Sequence, residues 1–135
     1  MDNSLKIALP KGRLLDEALK FFSPIGIEFP GIKETKKLRV PSSDGAFEAL
    51  IVRAADVPVY VAYGAADLGI VGKDVLWESA DGEDELYELA DLGFGSCKLV
   101  VAGSQDGPPK FPMWRVATKY PISTEKYFQE QGRPV

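Results

Sequence analysis

The sequence predicts an α/β fold in which short strands of a mainly parallel sheet alternate with helices. Three observations lead to this prediction: apolar runs of strand length recur along the chain, Gly, Pro or Lys turns end them, and helix-like apolar periods follow several of them. Strands that alternate with helices form βαβ units, and the crossover helix of each unit makes its two strands parallel.

The first such unit lies at the amino end of the chain. Leu5 to Leu9 is a short apolar run that ends at Pro10-Lys11-Gly12. A helical pattern follows, in which apolar residues lie three and four positions apart until Pro24 and Gly26 end it. Its apolar residues are Leu14, Leu15, Ala18, Leu19 and Phe22.

The middle of the chain continues the alternation. Leu38 to Val40 and Phe47 to Val52 have strand length, and Asp56 is expected to cap the next helix, with Pro58 in its first turn. Gly64 ends this helix. The residues expected on its buried face are Val57, Tyr60, Val61 and Tyr63.

A further strand and helix are expected before an acidic loop. Residues 67 to 72 form a short apolar run, and Lys73-Asp74 begins a helix to which Val75, Leu76 and Trp77 give apolar surface. The acidic loop runs from Asp81 to Glu85.

The rest of the chain predicts three strands and a last helix. The strand candidates are Leu86 to Ala90, Cys97 to Ala102 and Arg115 to Thr118, and Ser123 or Thr124 caps a helix that continues through Gln131. A Gly- and Pro-rich loop precedes the third strand, so we expect residues 1–92 to form a first lobe and residues 93–135 to begin a second. The chain ends where a βαβ pattern would start a strand, so we expect a truncated unit.

Composition excludes several classes of function. A net charge of −4 disfavours a nucleic-acid binder, and the absence of histidine removes His-based triads and His-rich zinc sites. No apolar run approaches the roughly 20 residues of a membrane span. The amino end lacks the basic and apolar regions of a secretory signal, and one cysteine cannot form an internal disulfide. We therefore expect a cytoplasmic protein without a membrane or nucleic-acid partner.

Three turns could bind anions. Each places a lysine where a strand is expected to give way to a helix, whose free amides and partial positive charge favour anions. The turns are Pro10-Lys11-Gly12-Arg13, Gly72-Lys73-Asp74 and Thr118-Lys119-Tyr120-Pro121. One lysine at an exposed turn is most often a solvated surface residue, but three on one sheet edge favour a phosphate-rich ligand.

Common nucleotide fingerprints do not fit. Residues 69–74 are too short for a Walker A loop, and Asp74 stands where Ser or Thr would hold Mg²⁺. Residues 93–98 lack the third glycine of a dinucleotide loop.

Five further positions leave alternatives open. Asp67 either caps or solubilises the start of its strand, or it bonds a ribose hydroxyl or a base amine. Arg53 ends an apolar strand and either reaches solvent or pairs with Asp56. Cys97 is expected to be a buried, inert thiol. Trp77 and Trp114 are expected to pack rather than to stack on a ligand.

Five stretches resemble the ATP phosphoribosyltransferase family, in the family's order. They are residues 9–14 (LPKGRL), 53–58 (RAADVP), 64–76 (GAADLGIVGKDVL), 91–97 (DLGFGSC) and 115–121 (RVATKYP), and the third is highly specific. The resemblance implies the short-type catalytic subunit, with a two-lobed fold like type II periplasmic binding proteins and an active site in the cleft.

The resemblance also implies a reaction, a metal and partners. In this glycosyltransferase reaction of histidine biosynthesis, ATP and phosphoribosyl pyrophosphate give phosphoribosyl-ATP and pyrophosphate. Mg²⁺ accompanies the substrates, and no metal is expected on protein side chains. Expected partners are further copies of the chain and a regulatory subunit that resembles histidyl-tRNA synthetase.

The resemblance assigns roles to residues of this sequence. Lys11 and Arg13 act on phosphates as electrostatic catalysts without a covalent nucleophile. The residues expected to bind substrate are Gly12, Arg53, Asp67, Gly69, Gly72, Lys73, Cys97, Thr118, Lys119 and Tyr120. The family's phosphoribosyl pyrophosphate loop is not found in this sequence and is expected beyond Val135, so we expect this chain by itself to be inactive.

Two other functions also fit the sequence. A lobe of solute-binding type could bind a nucleotide or another anion without chemistry. A fragment with an unpaired sheet edge could instead serve only in assembly.

Overall fold

The structure, a computed structural model, describes residues 3–79 and 86–135. The expected acidic loop, Asp81 to Glu85, lies outside the described residues. The strands are β1 (Leu5–Pro10), β2 (Arg39–Pro41), β3 (Phe47–Val52) and β4 (Leu68–Gly69). The helices are α1 (Arg13–Phe22), α2 (Val57–Ala62), α3 (Lys73–Ser79) and α4 (Pro121–Glu130), with short 3₁₀ turns at Ser23–Ile25 and Ala54–Asp56.

The four strands form one sheet in the order β2-β3-β1-β4. β1 is parallel to β3 from Leu5↔Phe47 to Pro10↔Val52, and it is also parallel to β4, with Ile7 opposite Leu68. Only β2 is antiparallel to its neighbour. The predicted α/β fold with a mainly parallel sheet is therefore confirmed.

The two central strands are buried on both faces. Alternate residues of a strand point to opposite faces, so Ile7 and Leu9 join one core cluster while Ala8 between them joins the other. The first cluster packs on α1 through Leu15, Ala18 and Phe22, and the second packs on α2 through Val57. Strands covered on both faces are nearly continuous apolar runs, which explains why β1 and β3 were predictable.

The helix α1 forms as the apolar period predicts. Its buried residues are Leu15, Ala18 and Phe22, spaced three and four positions apart, so they lie on one face. The 3₁₀ turn at Ser23–Ile25 follows α1 directly, and Gly26 ends it with a φ of 81°. Glycine adopts this left-handed backbone without the steric cost of a Cβ.

The helix α2 begins where expected but is capped differently. Asp56 precedes Val57, yet its side chain makes no capping hydrogen bond, because it accepts a hydrogen bond from Arg53 Nε at 2.8 Å. Val57 is buried, and Tyr60 and Val61 pack partly against the core. The prediction that Tyr63 is buried is wrong: its side chain is 85% exposed, because the helix ends at Ala62 and its period no longer applies.

The strands predicted after residue 85 are wrong. Residues 86–90, 97–102 and 115–118 form no strand among the described residues. An extended segment becomes a strand only when a neighbour pairs with its amides and carbonyls, and none does so here. The strand predicted at residues 67–72 is likewise limited to Leu68–Gly69, because it pairs with β1 alone at the sheet edge.

The last helix begins earlier than predicted. α4 starts at Pro121 rather than after a Ser123 or Thr124 cap, because proline lacks the amide that a helix start leaves unpaired. Its end is as predicted, with Gln131 as the C-cap and Gly132 at a φ of 67°.

Contacts divide the chain into two compact units, Met1–Gly95 and Ser96–Val135. The second unit centres on Phe128, which is 3% exposed and lies edge-on to Trp114 at a ring distance of 6.0 Å. The packing role expected for Trp114 is therefore confirmed, whereas Trp77 is 62% exposed and that prediction is wrong. None of the described helices has the length and apolarity needed to cross a bilayer.

Gly69→Ala is expected to destabilise the chain by about 1–3 kcal/mol in urea denaturation. A Cβ at residue 69 would lie 2.6 Å from Val57 Cγ1, and Val57 is 1% exposed, so it has little room to move. Gly103→Ala is the matched control, because a Cβ there meets nothing within 4 Å and the backbone is not left-handed. Equal midpoints for the two variants would contradict the tight contact between β4 and α2.

Candidate anion-binding edge

The carboxyl ends of three strands lie at one edge of the sheet. Pro10 pairs with Val52, and Lys11 N–H donates to Val52 C=O at 3.0 Å, so β1 and β3 end at the same level. Ile70 N–H, just after β4, donates to Ala8 C=O at 3.0 Å. Ligands of parallel sheets bind beyond this edge. We call it the carboxyl edge.

Lys11, Gly12 and Arg13 lie at the end of β1 and are all exposed. Gly12 has a φ of 89°, a backbone that favours glycine, and its C=O accepts from Leu15 N–H as α1 begins. Arg13 is the first residue of α1. Within residues 3–79 and 86–135 no ion pair joins Lys11 or Arg13 to a carboxylate, so both charges can act on a ligand.

Arg53 follows β3 but is already paired. Its Nε lies 2.8 Å from Asp56 Oδ2, and the hydrogen bond and the charge of Asp56 raise the pKa of the guanidinium. Its side chain is 81% exposed, so solvent weakens this pair. The pairing with Asp56, one of the two alternatives from the sequence, is therefore present, and the guanidinium also stays accessible from solvent.

Gly69 and Gly72 meet different neighbours. A Cβ at Gly69 would collide with Val57 of α2, so this glycine is required for helix–strand packing. A Cβ at Gly72 would collide with Asp74 Oδ1, at the start of α3. Packing accounts for Gly69, whereas the carboxylate of Asp74 is the end of a flexible side chain that can move aside from residue 72. The expected role of both glycines in substrate binding stays a prediction.

Lys73 is the most strongly paired cation at this edge. Its Nζ lies 3.0 Å from Glu88 Oε1 and 3.1 Å from Asp91 Oδ2. The hydrogen bonds to Glu88 and Asp91 raise the pKa of Lys73. The Gly93 amide donates to Asp91 Oδ1 at 2.9 Å. This hydrogen bond is the main cause that lowers the pKa of Asp91, and the contact with Lys73 lowers it further. The expected role of Lys73 in substrate binding stays a prediction, and its pairing with two carboxylates favours a structural role.

Asp67 binds backbone rather than facing the carboxyl edge. Its Oδ2 accepts from Lys6 N–H at 2.8 Å, and its own N–H donates to Lys6 C=O at 2.9 Å. Lys6 lies near the amino end of β1. This geometry favours the strand-capping alternative for Asp67.

Thr118, Lys119 and Tyr120 lie in the second unit. Thr118 Oγ1 accepts from Tyr120 N–H at 3.0 Å and from the Thr124 hydroxyl at 3.0 Å, so it organises the start of α4. Lys119 Nζ lies 5.3 Å from the Tyr120 ring centroid, a cation–π contact. No strand precedes this turn in the described chain, so the expectation of a third strand end is wrong.

The prediction that Cys97 is buried is wrong, because its thiol is free and exposed. It belongs to the segment that was expected to be a strand and forms none. Without a paired strand around it, the described residues leave its side chain exposed.

Sequence reasoning missed the two partners of Lys73. Glu88 and Asp91 are 15 and 18 residues farther along the chain, and no helical or strand period links them to Lys73. The available signal was Asp91-Leu92-Gly93, since an Asp two residues before a glycine in a turn often accepts that glycine's amide.

The Asp91 titration should report its contact with Lys73. Followed through the Gly93 amide by NMR, its midpoint is expected below the usual Asp value of 3.8, and Lys73→Met should raise it. A pKa lowered by folding favours the folded segment above the unfolded pKa, and this contribution is lost as pH falls through the folded pKa.

Asp44 is the internal control for this titration. Its pKa is also lowered, by the Ser42 hydroxyl and the Ala46 amide, and it has no contact with Lys73. Its midpoint should not change in Lys73→Met. An unchanged Asp91 midpoint in that variant would show that the ion pair does not persist in solution.

Comparison with known proteins identifies the family. The ATP phosphoribosyltransferase family model matches residues 53–135. An ATP phosphoribosyltransferase of Citrifermentans bemidjiense is 46% identical over 98% of this chain and 64% of its own length. One of Marinobacter nauticus is 46% identical over 98% of this chain and 62% of its own length.

A solved structure agrees with these relatives. It is the ATP phosphoribosyl transferase (HisG:HisZ) complex from Thermotoga maritima, with a TM-score of 0.64 and 26% identity over 96% of this chain and 61% of that chain. The chain spans 64% of the length of the Citrifermentans bemidjiense relative. Sequence and fold together establish that this chain belongs to the ATP phosphoribosyltransferase family.

Proposed function

We propose that the chain is part of the catalytic subunit of an ATP phosphoribosyltransferase in histidine biosynthesis. The full-length protein would convert ATP and phosphoribosyl pyrophosphate to phosphoribosyl-ATP and pyrophosphate. Family membership supports the reaction. The observation that supports the site is that Lys11 and Arg13 are exposed at the carboxyl edge, with no ion pair in the described chain.

The reaction matches what these cations can do. Adenine N1 forms a bond to ribose C1 as the bond from C1 to the pyrophosphate oxygen breaks. Two polyphosphates must lie side by side despite their repulsion, and negative charge grows on the leaving pyrophosphate. Fixed cations offset both effects, so Lys11 and Arg13 are the proposed electrostatic catalysts, and no covalent nucleophile takes part.

Apart from Gly72, which stays a proposed substrate-binding residue, the remaining site residues fall into three groups. Gly12 offers backbone at the start of α1, and Arg53 offers an exposed guanidinium beside the same strand ends. Cys97, Thr118, Lys119 and Tyr120 are proposed to bind substrate from the second unit. Contacts within the first unit support structural roles for Asp67, Gly69 and Lys73 instead.

We propose that the two units belong to the two lobes of a fold like type II periplasmic binding proteins. The boundary expected from the sequence, after residue 92, lies three residues before the division at Gly95. The partners we propose are further copies of the chain and a regulatory subunit, since the solved neighbour is a HisG:HisZ complex.

We propose Mg²⁺ as part of the polyphosphate substrates. The described ranges, 3–79 and 86–135, contain no group of three or more His, Cys, Asp or Glu side chains that could hold a metal ion. No step of the mechanism is assigned to a metal ion held by these residues.

Arg13→Ala in the full-length protein should lower kcat by roughly 100-fold, the scale expected when one charge-stabilising donor is lost. The measurement is pyrophosphate release with ATP and phosphoribosyl pyrophosphate. Lys20→Ala is the control, because Lys20 is an exposed cation in the last turn of the same helix, far from the carboxyl edge. A steady-state rate unchanged by Arg13→Ala would remove Arg13 from the site.

Calorimetry on the full-length protein tests the proposed activity itself. Binding of ATP together with pyrophosphate release supports the transferase. Binding of ATP with no pyrophosphate release when phosphoribosyl pyrophosphate is also present would favour a nucleotide-binding module instead.

A further inference from the structure

Residues 88–95 connect two turns of the carboxyl edge, and we call them the edge segment. At one end they contact Lys73, the first residue of α3, which follows β4. At the other end they contact Leu14, the second residue of α1, which follows β1. β1 and β4 are neighbours, so the edge segment lies beside the turn that carries Lys11 and Arg13.

The first contact is a network of one cation and two carboxylates. Lys73 Nζ lies 3.0 Å from Glu88 and 3.1 Å from Asp91, and the second oxygen of Asp91 accepts from Gly93 N–H at 2.9 Å. One carboxylate thus joins the ammonium to the backbone of the next turn, where Gly93 has a φ of 74°. The network fixes the path of the edge segment toward α1.

The second contact is apolar and close. A Cβ at Gly95 would lie 2.7 Å from Leu14 Cδ1, so the backbone of the edge segment lies directly against that side chain. Phe94 packs on the core, with its ring centroid 6.2 Å from that of Phe21. The edge segment therefore contacts both the first and the last turn of α1, and Leu14 is adjacent to Arg13.

We propose that Lys73 is a positioning residue: by holding Asp91 it fixes the edge segment against Leu14 and so sets the position of Arg13. The inference rests on the proposed function. A displacement of about 1 Å at a reacting group can lower a rate by up to about 100-fold. The ion pair between Lys73 and Asp91 can therefore affect turnover by setting the position of Leu14 and the adjacent Arg13.

Direct phosphate binding by Lys73 is less favourable. Two carboxylates already compensate its single positive charge, so a phosphate that approached Nζ would meet a net negative cluster. Lys11 and Arg13 have no such partners in the described chain and are the better anion ligands.

The test is a double-mutant cycle in the full-length protein. Lys73→Met and Asp91→Asn should each lower kcat roughly 10-fold with little change in KM, and the double variant should lose no more than either single one. Lys73→Arg, which keeps the charge, should recover most of kcat. Asp91→Asn keeps an acceptor for Gly93 N–H, so the test stays decisive if Lys73→Met fails to fold.

Arg39→Met is the matched control. Arg39 Nε lies 2.9 Å from Glu48 Oε1, but the two groups are not aligned for a hydrogen bond. This ion pair joins β2 to β3 and lies away from the edge segment. Its kcat should equal that of the wild type. If Lys73→Met instead raises KM with kcat unchanged, and if its effect adds to that of Asp91→Asn, Lys73 binds phosphate directly and the inference is overturned.

NMR separates this inference from the proposed function. In Lys73→Met and in Asp91→Asn, the Leu14 methyl and Gly95 amide signals should shift, and in Arg39→Met they should not. A wild-type protein without transferase activity would refute the proposed function, and these shifts would then decide the inference alone. Unmoved Leu14 and Gly95 signals in both edge variants would overturn it.

Discussion

The parallel pairing of β1 with β3 is the constraint on which the rest of the described structure depends. Six consecutive residue pairs, from Leu5↔Phe47 to Pro10↔Val52, fix both strands in one register. A slip by one residue would move Ile7 and Leu9 to the α2 face and Ala8 to the α1 face, so burial of both faces specifies the register strongly. The same register brings the end of β1 beside the end of β3 and so creates the carboxyl edge.

The distribution of charge along this edge decides which residues can act on an anion. Cations follow all three strand ends, but Arg53 and Lys73 are paired with carboxylates of their own unit. Lys11 and Arg13 are not paired within the described residues. A carboxylate beside a cation offsets the attraction for phosphate, and for this reason similar lysine turns in the sequence differ in the structure.

Sequence reasoning succeeded where local patterns and burial agree. The period of α1 and the apolar runs of β1 and β3 were predictable because each of these elements packs against the core. Predictions failed where an element needs a partner distant in sequence. Residues 86–90 and 97–102 have the composition of strands, but no described strand pairs with them. Cys97 and Trp77 are likewise exposed, although the sequence predicted that both would be packed.

The sequence by itself determined the family, the alternation of strands and helices from β1 to α3, and the turn that carries Lys11, Gly12 and Arg13, because these depend on residues close together in the chain. Only the tertiary structure decided how the cations differ. Glu88 and Asp91 reach Lys73, and Asp67 reaches Lys6, across 15 to 61 residues of chain. Contacts over such distances are set by the packing of the sheet and its helices, and no local pattern encodes them.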